Sequence, residues 1–149
     1  MFDAITQVPA PYNEPVHNFA PGSAERTAIE ARLKDLAAEH AELTMTIGGE
    51  QRLGGGEPID VVQPHRKDAV LGTMANATAD DVRAAVEASR AAAPGWQRMS
   101  FDDRAAIFLK AADLITSSPW RHTLAAATML GQSKTCYQAE PNGMYTRTR

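Results

Sequence analysis

Residues 96–140 read WQRMSFDDRAAIFLKAADLITSSPWRHTLAAATMLGQSKTCYQAE, and the fold is decided by this stretch. Ser100, with Asp103 three residues on, has capping-box spacing, which predicts a helix starting at Ser100. Ile107, Ala111, Leu114 and Ile115 recur at intervals of three and four, so they share one helical face. Pro119 suits the first turn of a second helix, with Ser118 as its N-cap. Leu124, Ala127, Thr128 and Leu130 give that helix an apolar side, and Gly131 is the expected stop. Ser133 is then placed to cap a third helix, with Glu140 in its second or third turn.

Upstream, Thr78 and Asp81 repeat the capping-box spacing, and Asp80 and Asp81 suit the positive end of a helix dipole. Val82, Ala85, Val86 and Ser89 are the expected inner face, and Pro94-Gly95 the expected end. Between Leu43 and Met74 the period changes to two. Leu43–Ile47 alternates as a half-buried strand does, Gly48-Gly49 is a tight-turn pair, and Gln51-Arg52-Leu53 returns. After Gly54-Gly55-Gly56, Ile59, Val61 and Val62 form a third strand closed by Pro64, and Val70–Met74 a fourth. Before these strands, Ser23 caps a helix that places Ile29, Leu33, Leu36 and Ala37 inward and a Glu30–Lys34 pair outward. Residues 1–22 hold Pro9, Pro11, Pro15 and Pro21 and read as extended or irregular chain.

Composition narrows the classes of function. With 44% hydrophobic and 22% charged residues, the 149-residue chain has the make-up of one ordinary globular domain. A net charge of −3 gives no electrostatic case for nucleic acid or an anionic membrane. No apolar run approaches the ~18 residues that span a bilayer, and MFDAITQVPAP lacks the basic and apolar regions of a signal peptide. One cysteine, Cys136, gives no disulfide framework, and a cytoplasmic setting is expected.

Trp96, Ser100, the run DRAAIFLKAADL at 103–114 and GQSKTCYQAE at 131–140 together resemble the aldehyde dehydrogenases. The GQSKT and QAE elements resemble the branch that oxidises L-glutamate γ-semialdehyde, the 1-pyrroline-5-carboxylate dehydrogenases. Asn13-Glu14-Pro15-Val16 and Phe19–Ser23 resemble that branch's N-terminal extension. The resemblance covers nearly all of residues 13–140. It implies an α/β fold, here an N-terminal fragment with amphipathic helices around a small antiparallel sheet and the main nucleotide-binding sheet missing. It divides the chain into an extension at 1–42, the start of the NAD-binding domain at 43–140, and a divergent tail at 141–149. Pro141 and Asn142-Gly143 break the helix the family continues, which is the mark of a shifted or prematurely ended reading frame, a natural terminus being the alternative.

The resemblance implies NAD-dependent oxidation of glutamate semialdehyde to glutamate, the last step of proline breakdown, by a homo-oligomeric enzyme. In such enzymes a cysteine thiolate attacks the aldehyde and amide groups hold the oxyanion. Hydride then passes to NAD, and a glutamate activates the water that hydrolyses the thioester. The residues that do this lie beyond the matching part of this chain, so no catalytic, cofactor-binding or metal-binding residue is assigned. The chain alone is expected to be inactive and to bind no NAD. The competing reading is an interaction module whose exposed helix faces bind a full-length subunit, another partner or a second copy.

Each tempting residue has a plainer explanation. Cys136 is expected to be a partly buried helical cysteine without an activating base, since the family's nucleophile lies far downstream. Gly131–Thr135 echoes the end of a P-loop, but the glycine required five residues earlier is Ala126 and no strand precedes it. Lys134 is expected to pair with a carboxylate. Neither Gly48-Gly49 nor Gly54-Gly55-Gly56 has dinucleotide-loop spacing, which leaves turns. His17, His40, His65 and His122 show no metal-ligand spacing, and Asp102-Asp103 are helix-start charges. Asn76-Ala77-Thr78 is a glycosylation sequon without a secretory context. The family's pocket glutamate lies just past QAE, and its role is not transferred to Glu140.

Overall fold

The structure, a computed structural model, describes residues 14–140. The readings for Pro9, Pro11 and Asn13, and for the tail at 141–149, lie outside the described residues. Helix α1 spans Ala24–Ala38, and Ser23 caps it by accepting from the Arg26 N–H. Ile29 is buried and Leu33 and Leu36 are half-buried against it, while Ala37 is exposed. Glu30 pairs with Arg26 at 2.7 Å rather than with Lys34. The arginine one turn earlier is close enough to fill the carboxylate first.

The strands form two sheets, not the single antiparallel sheet expected. β1 (Ala41–Leu43) lies parallel to β5 (Arg66–Ala75), which pairs antiparallel with β4 (Pro58–Gln63) in the order β1-β5-β4. β2 (Met45–Ile47) and β3 (Glu50–Arg52) form a separate antiparallel hairpin. What read as one strand from Leu43 breaks at Thr44, where the chain passes from one sheet to the other. Gly72 allows the parallel pairing. A Cβ there would lie 2.1 Å from the Ala41 carbonyl oxygen, so any larger residue pushes β1 away. The hairpin turn is as expected, with Gly48 and Gly49 both at positive φ, 62° and 89°.

Helix α2 spans Ala79–Arg98 behind a complete Thr78–Asp81 capping box. It runs through Pro94 instead of ending there. Pro94 is exposed, so water can satisfy the Arg90 carbonyl that loses its donor. The expected inner face is exposed too: Val82, Ala85, Val86 and Ser89 face outward, and Ala84 and Ala88 are half-buried. Ala88 meets the hairpin at Gly48, so the turn glycine selects which side of α2 is covered.

Helix α3 (Phe101–Thr116) starts at Ser100 as expected, with the Asp103 N–H donating to the Ser100 hydroxyl at 3.1 Å. It buries no residue, and Ile107, Leu114 and Ile115 are exposed. Helix α4 (Trp120–Gln132) follows, with Pro119 rather than Ser118 at the N-cap and no side-chain cap. Backbone bonds serve its start instead: the Arg121 N–H donates to the Ser117 carbonyl and the Thr123 N–H to the Pro119 carbonyl. Its buried side is Arg121, Ala125 and Ala126, with Met129 packed against it, rather than the side marked by Leu124 and Ala127. Helix α4 ends one residue past Gly131, and Ser133 takes the left-handed conformation at φ 55°. The Ser133 hydroxyl is held there by His65 Nδ1 at 2.8 Å. Thr135, not Ser133, caps the single-turn α5 (Cys136–Ala139), in a capping box with Gln138. The core is small and lies between α1, α4, α5 and the incoming chain: Phe19, Ile29, Ala125, Ala126 and Ala139.

Candidate functional site

The main polar site of the described residues lies beside that core. Arg121 sits on the same face of α4 as Ala125 and Met129, at spacings of four, so the helix that buries those apolar groups buries its guanidinium as well. Arg121 is 4% exposed and Glu140 1%. They form an ion pair, and Arg121 Nη2 also donates to the Pro15 carbonyl at 2.6 Å. One guanidinium therefore fastens α4, the end of α5 and the incoming chain. Burial lowers the arginine's proton affinity, opposed by the charge of Glu14. Out of water, the charge is offset by its carboxylate partner and by the Pro15 carbonyl.

Two histidines adjoin it. His17 and His122 stack with ring centroids 6.2 Å apart and planes 18° from parallel, and His17 meets Phe19 edge-on at 5.8 Å. His17 Nδ1 and His122 Nε2 are buried without hydrogen-bond partners. The pKa of His17 is lowered, first by burial, then by the charge of Arg121, with Glu25 opposing and His122 adding slightly. The two other histidines are apart from this group: His40 Nε2 meets the Thr73 hydroxyl at 3.0 Å, and His65 meets Ser133. No group of three or more His, Cys, Asp or Glu able to hold a metal occurs among the described residues.

A second polar centre joins the hairpin to α2. Asp81 Oδ2 accepts from the Gly55 N–H at 3.0 Å and from the Thr78 N–H and hydroxyl, both at 2.8 Å. Arg52 Nη2 lies 3.0 Å from Asp81 Oδ1. These bonds to the ionised form, the Gly55 N–H foremost, hold the Asp81 carboxyl at about 2.

The other residues weighed from the sequence fall in plain structural places. Cys136 opens α5, half-buried against the core, with its carbonyl accepting from the Glu140 N–H. Gly54 and Gly56 lie against the Asn76 carbonyl, and Gly56 donates to it at 3.0 Å. Thr78 of the sequon is occupied as the α2 cap. Asp103 is engaged at the α3 cap. No ion pair of Lys134 is formed among the described residues. Arg121 was not singled out in the sequence. A charged residue in phase with Ala125 and Met129 was the signal available.

Much apolar surface is left uncovered. Along α3, Phe101, Ile107, Phe108, Leu109, Leu114 and Ile115 are all exposed, Phe108 by 66%. A shallow groove between Trp96, Phe101, Phe108 and Leu109 is floored by Ala105 and Arg104, and Arg104 Nε is buried there without a partner. No helix of the described residues is long and apolar enough to cross a membrane.

The family model for the aldehyde dehydrogenase family matches residues 52–146. The delta-1-pyrroline-5-carboxylate dehydrogenase of Agaricus bisporus is 38% identical over 138 residues, which is 92% of this chain and 25% of that protein. The human mitochondrial enzyme of the same name is 38% identical over 128 residues, 86% of this chain and 22% of that protein. Among solved structures, the Delta-pyrroline-5-carboxylate dehydrogenase from Mycobacterium tuberculosis superposes with TM-score 0.89 at 58% identity. The match covers 94% of this chain and 26% of that one, and one structure of that enzyme is bound with NAD. The chain thus spans about a quarter of the length of the relatives it matches. By this sequence match and this superposition, the chain belongs to the aldehyde dehydrogenase family.

Proposed function

We propose that this chain is the N-terminal part of an enzyme that oxidises L-glutamate γ-semialdehyde to L-glutamate with NAD, in proline degradation. The observation that carries the reading is the 58% identity, over 94% of the chain, to a Delta-pyrroline-5-carboxylate dehydrogenase. The domain division at 42 and 140 and the cytoplasmic setting belong to this proposal, although several relatives carry "mitochondrial" in their names.

The same proposal holds the 149-residue chain inactive by itself. Its one cysteine sits on a single helical turn against the core, and His17 and His122 are engaged with each other. The glycine pair serves a strand turn and the triplet the contact with Asn76, not a helix opening, so neither fits a dinucleotide cradle. What these residues supply is scaffold. The Arg121–Glu140 pair fastens α4 to the end of α5, and the Asp81 centre fixes the strands to α2.

Two measurements test this. The purified chain with semialdehyde and NAD should form no NADH, and aldehyde-dependent NADH would overturn the inactivity. Residues 14–140 exchanged for the matching segment of the M. tuberculosis enzyme should give an active chimera. A folded chimera without activity on the semialdehyde would sink the assignment. The exposed face of α3 favours a second reading, association with a full-length subunit or a second copy. A monodisperse monomer that melts cooperatively and captures no subunit would count against it.

A further inference from the structure

The chain before α1 is fastened to the helices at three points. Phe19 enters the core beside Ile29, Ala125, Ala126 and Ala139. The Pro15 carbonyl accepts from Arg121. Between them, His17 lies over His122. The third fastening differs from the others because it depends on charge. Two neutral imidazoles stack as apolar rings. A protonated His17 would bring a cation against a second titratable ring and close to a buried guanidinium.

The charges around His17 settle the sign. From α4 it faces Arg121 and His122, and from α1 Glu25. Glu140, at the end of α5, is already engaged with Arg121, and Glu14 acts on Arg121 from the same segment as His17. Glu140 and Glu14 thus act on the arginine, Glu25 alone favours the charged ring, and no hydrogen-bond acceptor meets the buried His17 Nδ1 or His122 Nε2 to stabilise a second proton.

We propose that residues 14–19 are a pH-sensitive clasp, closed over α4 while His17 and His122 are neutral and released when His17 is protonated, uncovering the Ile29–Ala125–Ala126–Ala139 seam. The released segment binds more protons than the docked one. Closure is therefore full above the ordinary histidine value of about 6.5 and is lost as the pH falls below it toward the lowered value of the docked ring. Release leaves the ion pair with Glu140 intact, since both partners lie on the helical side.

Nuclear Overhauser contacts of the Phe19 ring with Ile29 and Ala125 in the 149-residue chain read this directly. The docked-to-released ratio should fall by roughly three- to tenfold between pH 7.5 and 5.5, while amides within α4 keep their exchange protection. His17→Phe retains a ring for the stack and should abolish the pH dependence, whereas His122→Phe should leave most of it, because burial and Arg121 act on His17 first. Imidazole titration by NMR, which needs no variant, should place His17 below the free value and should broaden or shift the Phe19 ring with the same midpoint. Phe19 contacts independent of pH would overturn the proposal. So would loss of protection at α4 in step with them, a His17 midpoint at or above the free value, or an unchanged profile in His17→Phe.

Discussion

Arg121→Met is the most informative single change, because the side chain it removes has two acceptors and almost no contact with water. Methionine keeps the length and the apolar stem, so packing against Ala125 changes little. What is left is the Glu140 carboxylate, 1% exposed, without its counter-charge, and a Pro15 carbonyl without its donor. Breaking a buried pair from one side costs about 3–5 kcal/mol, a large part of the roughly 5–15 kcal/mol that holds a domain folded. For a chain of this size that is a fall in Tm of roughly 6–20 °C. Urea unfolding, followed through Trp96 and Trp120, gives the free energy independently of the melt. Adding Glu140→Leu removes the stranded charge and should return stability to within about 1–2 kcal/mol of the parent, the remainder being the unmet Pro15 carbonyl. A loss below about 1 kcal/mol for Arg121→Met alone would refute the reasoning, because it would mean that the pair behaves as a surface one. A double variant as unstable as the single would refute it too, by showing that the guanidinium matters for packing rather than for charge.

Asp81→Asn should lower the urea midpoint at neutral pH, because an amide cannot accept from Gly55, Thr78 and Arg52 as the carboxylate does. The Asp81 pKa is depressed to about 2, so its contribution is present above the ordinary carboxylate range and is lost as the pH falls toward that value. Parent and variant curves should therefore converge in acid, and a constant gap would show a purely steric effect. Pro94→Ala should stabilise the chain by about 1–3 kcal/mol, since it restores the missing donor in the interior of an exposed helix. An unchanged midpoint would mean that the last turn of α2 is already frayed.

Features with a local cause are legible in the sequence, and features with a distant one are not. Ser23, Thr78 and Ser100 were legible as helix starts because a cap is settled within four residues. Gly48-Gly49 was legible because two consecutive positive φ angles are cheap only for glycine. Errors gathered where a distant group intervened. Ser133, not Gly131, turns left-handed, held by a histidine 68 residues away. The passage of α2 through Pro94 is the exception, since that position is exposed and water can satisfy the Arg90 carbonyl. The covered side of α4 was misjudged because Leu124 and Ala127 are more apolar by type than Arg121, and periodicity alone cannot tell that a guanidinium goes in with its own carboxylate. The Arg121–Glu140 pair joins residues 19 apart on two helices and the Pro15 carbonyl 106 residues back, so no window of sequence contains it.

The sequence by itself determined the family, the succession of helices and strands apart from the break at Thr44, and the caps that start three of the helices, since these follow from residue type at short spacing. It also contained both glycine devices, although it did not reveal what each faces. The tertiary structure alone decided which helix face is covered, that Ala41–Leu43 runs parallel to β5 against Gly72, and that the N-terminal segment is fastened by an arginine and a histidine stack. The physical reason is range: a hydrogen bond at a helix end is chosen by its neighbours, whereas burial and the pairing of charges are chosen by whatever the chain brings alongside.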